Sequence, residues 1–321
     1  MNDHMFDLTT FGETMLRLSP PNQSRLSGAP ILNAQYGGSE SNLAANLAHL
    51  NRRVRWFSRL PDNPLGHGCA AAIQAHGVDV SAIPFVLDAR MGLYFIETGS
   101  PPRPTRVWYD RAHSAASHLT PADLPADLWT NSRWLHLSGI TVALSHSCRA
   151  AAQFALEQAR AAKIKTSFDV NYRALLWSAD SAAAACEPFC RAVDVVFIAL
   201  RDAVMLFNAP HEVVSAAEIL QIEWGGAVFV TDGANGAAAC DGKETVNVPA
   251  IPVTIVDRIG AGDAFAAGVL DVLIGGGSLH HAARSGVALA ALALTIPGDI
   301  AAVSRPELDA VLNADAASLQ R

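Results

Sequence analysis

Residues 257–268 read Asp-Arg-Ile-Gly-Ala-Gly-Asp-Ala-Phe-Ala-Ala-Gly, a turn of small residues opening into a helical pattern with an aspartate in its first turn. Gly260, Ala261 and Gly262 let the backbone come close to a ligand, and the first N–H groups of a helix have no partner within it. With the helix dipole behind them, such groups make an anion site. Asp263 then has two roles open to it. It can cap the helix, or it can accept a proton from a hydroxyl while the amides hold a phosphoryl group in transfer to that hydroxyl. A second glycine-led helix start, Gly37-Gly38-Ser39-Glu40-Ser41-Asn42, again offers N–H groups without intrahelical partners.

Short apolar runs alternate with alanine-rich helical segments around these residues. Strand-like runs lie at 8–11, 54–58, 134–137, 166–170, 195–198 and 228–231, with helical segments at 42–50, 65–76, 148–163 and 181–192. Most of the strands are apolar on both faces, as parallel strands covered on each side must be. Leu43, Leu47 and Leu50 fall on one helical stripe. The alternation predicts an α/β fold, an open and mostly parallel sheet with helices on both faces. With no linker, repeat or low-complexity tract, it predicts one domain over 1–321. Such sheets bind ligands beyond the carboxyl ends of their strands. Ser138-Gly139, Asn171-Tyr172-Arg173 and the 231–236 loop with Thr231, Gly233 and Gly236 all fall there.

Two segments interrupt the alternation. Residues 14–36 carry Pro20-Pro21 and little helical periodicity, and 91–111 read as strands 92–97 and 105–109 joined by a proline-stiffened loop at 99–104. Such a hairpin is either an edge extension or a lid that closes over a crevice and excludes water.

Composition narrows the class. Half of the 321 residues are apolar and 17% are charged, which supports a large core and excludes disorder. The net charge of −7 argues against a nucleic-acid or anionic-membrane binder. No apolar run reaches membrane-spanning length and the N-terminus lacks a basic-then-apolar leader, so a cytoplasmic protein is expected. The five cysteines, at 69, 148, 186, 190 and 240, match no zinc or CxxC spacing and read as reduced, buried thiols. Neither G-x-x-x-x-G-K-[ST] nor a G-x-G-x-x-G after the first strand is present, which leaves a nucleotide the 260–263 and 231–236 loops.

The segments 37–42 and 257–263 resemble the two signatures of the ribokinase-like (PfkB) carbohydrate kinases, in an order and separation that span almost the whole chain. Gly12-Glu13, 16–19, 60–66, 103–111, 136–140, 169–177 and Ala293-Leu294-Thr295 before Pro297-Gly298 are similar to the 2-keto-3-deoxygluconate kinase branch. The resemblance implies a ribokinase-like sheet with a small inserted β lid formed by 14–36 and 91–111. It implies ATP with Mg²⁺ as donor and transfer to the 6-hydroxyl of 2-keto-3-deoxygluconate or a close sugar acid; a homo-oligomer is expected. By the same resemblance Asp263 is the base, and Gly260, Ala261 and Gly262 form the anion hole. Gly38, Asn42, Tyr94, Tyr109, Arg111 and Arg173 match the sugar-acid contacts, while Asn171, Thr231, Gly233 and Gly236 match the nucleotide side. Guanidinium forks suit a carboxylate, and phenolic hydroxyls suit sugar hydroxyls.

The chain also departs from the family pattern. Where many relatives have Asn-x-x-Glu near the metal-bound phosphates, Ala199-Leu200-Arg201-Asp202 stands here, so no protein metal ligand is assigned. In relatives with a monovalent-cation site a residue at the Asp257 position helps to bind it, which leaves K⁺ open. A kinase for a neutral sugar such as fructose or ribose is the alternative, disfavoured because it would leave Arg111 and Arg173 unpaired. A non-catalytic sugar-binding regulator is disfavoured by the intact Gly260–Asp263 segment.

Overall fold

The computed structural model describes residues 5–99 and 102–318; residues 100 and 101 of the predicted 99–104 loop, like 1–4 and 319–321 of the predicted domain, lie outside them. In chain order the strands are β1 (Phe6–Phe11), β2 (Met15–Ser19), β3 (Asn33–Gly37), β4 (Val54–Phe57), β5 (Leu60–Pro61), β6 (Phe85–Val86) and β7 (Leu93–Glu97). They continue as β8 (Arg106–Asp110), β9 (Ser132–Ser138), β10 (Lys165–Asp169), β11 (Val195–Ala199), β12 (Ala227–Thr231), β13 (Ala237–Cys240) and β14 (Thr245–Val248).

Eight strands form the main sheet in the order β14-β13-β12-β11-β10-β9-β1-β4. All neighbours from β4 to β12 are parallel, and the β13–β14 hairpin adds an antiparallel edge. All six predicted strands fall in its parallel part. The hairpin was not foreseen, because Ala237-Ala238-Ala239-Cys240 carries no β-branched or aromatic residue to announce a strand. Strand β1 has β4 on one side and β9 on the other, so the winding direction reverses there and the strand ends open a crevice.

Helices Ser39–His49, Pro64–Ala75, His146–Ala161 and Ala179–Cys190 match the predicted segments to within a turn. Leu43, Leu47 and Leu50 are buried, in one core with Phe11 and Phe57, whose rings stack 5.0 Å apart. Burial of such side chains is the main force holding helix to sheet. All five cysteines are free and buried. Among the described residues, no helix is long and apolar enough to cross a membrane.

The two interrupting segments join in one four-stranded sheet, β3-β2-β7-β8. The predicted hairpin is β7–β8, with Tyr94 opposite Tyr109, and 14–36 contributes a second antiparallel pair, β2–β3. Side chains alternate across a strand. Met15, Tyr94, Val107 and Tyr109 thus face a cavity, while Leu18, Phe95 and Trp108 lie in register on the other face. This small sheet is built from the two segments expected to form the lid.

Candidate active site

Gly260 stands before the helix Ala261–Ile274 at φ 80° and ψ −8°, a left-handed conformation that favours glycine. A Cβ there would also sit 2.0 Å from the backbone oxygen of Asp299. At Gly262 the situation is opposite. Its φ is ordinary and a Cβ would meet no neighbouring protein atom within 4 Å, so protein packing does not demand glycine there. Gly260 and Gly262 line an open cavity, and the first-turn N–H groups of a helix have no partner within it.

Asp263 lies in that turn, almost wholly buried. Its oxygens accept from Ser39 Oγ and Asn42 Nδ2, both at 2.7 Å, on the other glycine-led helix. The carboxylate is thus turned across to a neighbouring helix instead of capping its own. Burial pushes its pKa up to about 6, against the pull of the Asn42 and Ser39 hydrogen bonds and the Arg173 charge. Asn171 Nδ2 donates to Ser39 Oγ at 2.8 Å, tying the end of β10 into the same chain of contacts.

Two cavities meet at Asp263, Gly260, Ile259 and Arg173. One, of about 90 Å³ under the small sheet, is lined by Gly38, Asn42, Tyr94, Tyr109 and Arg111, with Glu13 and Asp299. The other, about 240 Å³ over the main-sheet strand ends, is lined by Asp169, Asn171, Ala199, Asp202, Thr231, Arg258 and Gly262. The structure therefore gathers most residues singled out in the sequence around one carboxylate. Gly233, Gly236 and Ala261 line neither cavity. Gly233 sits in the turn after β12, and a Cβ at Gly236, φ 105°, would lie 2.1 Å from Val248 O, so the fold itself requires that glycine. A larger cavity of about 510 Å³ lies elsewhere, and its two arginines, Arg59 and Arg90, are already paired with Asp123 and Asp110.

The charges around the first cavity are not arranged as the sequence suggests. Arg111 lines it, but its Nε already donates to Glu13 Oε2 at 2.7 Å, and Ser114 Oγ donates to the other Glu13 oxygen. Arg173 is exposed, and among the described residues its side chain has no ion-pair or hydrogen-bond partner. Tyr94 donates its hydroxyl to Asp299, and Arg17 bridges Asp299 and Asp257. Glu40, fully buried, accepts from Ser138 and Thr141, and burial raises it to about 7. On the strand-end side, burial and the Asp263 charge raise Asp169 to about 8, and burial raises Asp202.

Glu13, Arg17, Ser39 and Glu40 stand within the motif segments, and their sequence context alone assigns them no role. Sequence reasoning missed Asp299, although the residue directly follows Pro297-Gly298. What carries these residues is proximity between segments as far apart as 13, 94 and 299, which periodicity cannot reveal.

Residues 5–306 match the model of the pfkB family of carbohydrate kinases. The chain is 40% identical over 323 residues to the 2-dehydro-3-deoxygalactonokinase of Haloferax volcanii, covering 98% of this chain and 99% of that one. It is 30% identical over 308 residues to the 2-dehydro-3-deoxygluconokinase of Bacillus subtilis, covering 92% and 91%. The solved structure of the Thermotoga maritima 2-dehydro-3-deoxygluconokinase superposes with a TM-score of 0.88 at 30% identity, covering 98% of this chain and 100% of that one. The ribokinase-like sheet, the paired glycine-led helix starts and the family match agree: this chain belongs to the pfkB family of carbohydrate kinases.

Proposed function

We propose that this chain transfers the γ-phosphoryl group of ATP to the 6-hydroxyl of 2-keto-3-deoxygluconate, or of a close 2-keto-3-deoxy sugar acid such as its C4 epimer. The observation that carries the reading is Asp263, a buried carboxylate with a pKa near 6 where the two cavities meet. A base should titrate near the working pH and touch the space of both reactants. Relatives from H. volcanii and B. subtilis named for the galactonate and gluconate acids support the substrate class.

In this reading the sugar acid lies under the small sheet. Asp263 takes the proton of its 6-hydroxyl as that oxygen attacks the γ-phosphorus and the bond to the bridging oxygen of the departing ADP breaks, while the first-turn amides at Gly260–Gly262 stabilise the charge on the group in transfer. Ser39 and Asn42 hold the carboxylate in place. Gly38 gives the sugar close backbone approach, and Tyr94 and Tyr109 offer hydroxyls. The unpartnered Arg173 meets the substrate's charge, and Arg111, braced by Glu13, forms the wall. Residues 1–321 act as one catalytic unit with 14–36 and 91–111 as its lid.

ATP belongs over the strand ends, with Asn171 and Thr231 at its side and Gly233 and Gly236 shaping the loop beyond. The acidic lining fits a cation there, since burial makes Asp169 and Asp202 costly to ionise alone. Mg²⁺ bound to ATP would supply charge neutralisation to the phosphates. In this reading the Asp257 carboxylate is spent on the Arg17 guanidinium and is not assigned to K⁺.

We further infer a homo-oligomer, from the apolar row Leu18, Phe95 and Trp108 on the outer face of the lid. We infer a cytoplasmic location, from five cysteines that are all unpaired. The test of function is ADP release over gluconate- and galactonate-derived 2-keto-3-deoxy acids, fructose and ribose, in potassium and in tetramethylammonium buffers. Turnover of the acids, equal in both buffers, is expected. Preference for a neutral ketose would overturn the substrate assignment, and no turnover at all would favour a binding protein.

A further inference from the structure

Arg17 lines neither cavity, yet its guanidinium is buried between the lid and the turn that carries the anion hole. It projects from β2. Nη2 donates to Asp257 Oδ2 at 2.7 Å, and Nη1 donates to Asp299. The Asp257 carboxylate fixes backbone next to Gly260, and the backbone of Asp299 packs against that glycine. Asp257 accepts from Ile259 N–H at 3.1 Å and from Gly298 N–H at 3.2 Å, closing the turn just before the glycine. Asp299 places its own backbone oxygen where a Gly260 Cβ would be, and its second carboxylate oxygen takes the Tyr94 hydroxyl from β7. One guanidinium therefore ties two lid strands to both segments that shape the anion turn.

Resting on the kinase reading above, we propose that Arg17 is a positioning residue, which holds the 257–260 turn in its reactive geometry from the lid through Asp257 and Asp299. The physical reason is charge. Two buried carboxylates share one cation, and removing it leaves them to repel each other or to take up protons. Either response loosens the contacts that set Gly260, and so moves the amides that must meet the phosphoryl group. A shift of about 1 Å in those amides is enough to cost roughly a hundred-fold in rate.

The experiment compares Arg17→Met, which keeps length and removes the cation, with Asp257→Asn and the double variant, on whichever sugar the parent phosphorylates fastest. A failed substrate assignment therefore leaves this test intact. Arg17→Met is expected to lower kcat by roughly a hundred-fold, the scale for losing precise positioning of reacting groups. The double variant should lose no more than Arg17→Met alone, because both changes break one link. A purely structural arginine would instead lower thermal stability without that kcat loss, or give losses that multiply in the double variant; either result overturns the proposal. If Arg17→Met does not fold, Arg17→Lys serves, since a single ammonium cannot span both carboxylates; an unchanged kcat there would refute the bridge. Sub-denaturing guanidinium should restore part of the Arg17→Ala rate, and absence of any rescue in a folded variant counts against it.

Discussion

Replacing Asp263 with asparagine separates what this carboxylate does for chemistry from what it costs the fold. In the unfolded chain the group loses its proton at its ordinary value of 3.8, in the folded protein near 6. The folded state thus binds that proton more tightly than the unfolded one, so ionisation costs stability above pH 6, and the cost disappears as pH falls below about 4. At pH 7 the gap between the two values corresponds to at most about 3 kcal/mol. Asparagine carries no charge and keeps the shape, and its amide can still meet Ser39 and Asn42. Asp263→Asn should therefore lose roughly 10²–10⁴ in kcat, the usual scale for a general base, yet melt at the same temperature as the parent or a few degrees higher at pH 7. The melting difference should begin to shrink as the pH is lowered through 6 and close near pH 4, while the parent's kcat should fall about ten-fold per pH unit below 6, as the base takes up its proton. Steady-state ADP release from pH 5 to 8 and thermal melts from pH 4 to 8 read the two quantities. A variant within two-fold of parental kcat would reduce Asp263 to a polar packing residue. A variant destabilised at pH 7, with a gap that does not close on acidification, would refute the claim that burial of a charge sets its pKa.

Gly262→Val should abolish turnover while far-UV circular dichroism stays parental, because a Cβ there meets no neighbouring protein atom within 4 Å and the branch would enter the space proposed for the phosphoryl group; a fully active variant would place phosphate elsewhere. Arg173→Met should raise KM for the sugar acid by roughly thirty-fold, the ~2 kcal/mol lower end of the range for removing one partner of a charge pair that the bound ligand desolvates, and spare any neutral ketose turned over as a side reaction. Equal losses on both would show that Arg173 does not read the acid. Arg111→Ala is the less informative experiment here, since it strips Glu13 of its buried partner and disturbs the lid whatever the ligand.

Local chemistry was legible in the sequence wherever the requirement is local. Gly260 needs a left-handed φ, the first turn of a helix offers its amides, and Leu43, Leu47 and Leu50 repeat at a helical period, so the anion turn, the strands and the core stripe could all be read from neighbouring residues. The family resemblance added the assignment of sugar-acid residues, and the structure brings Gly38, Asn42, Tyr94, Tyr109, Arg111 and Arg173 around one cavity. Tertiary structure alone decided how those side chains are spent. Whether Asp263 caps its helix or faces a substrate depends on Ser39 and Asn42, more than two hundred positions away in the chain. Whether an arginine is free for a ligand depends on a carboxylate such as Glu13 for Arg111, or on the pair Asp257 and Asp299 for Arg17. Hydrogen bonds and burial act over a few ångströms of space with no regard for sequence separation, and a pKa near 6 exists only once the chain has closed around the group.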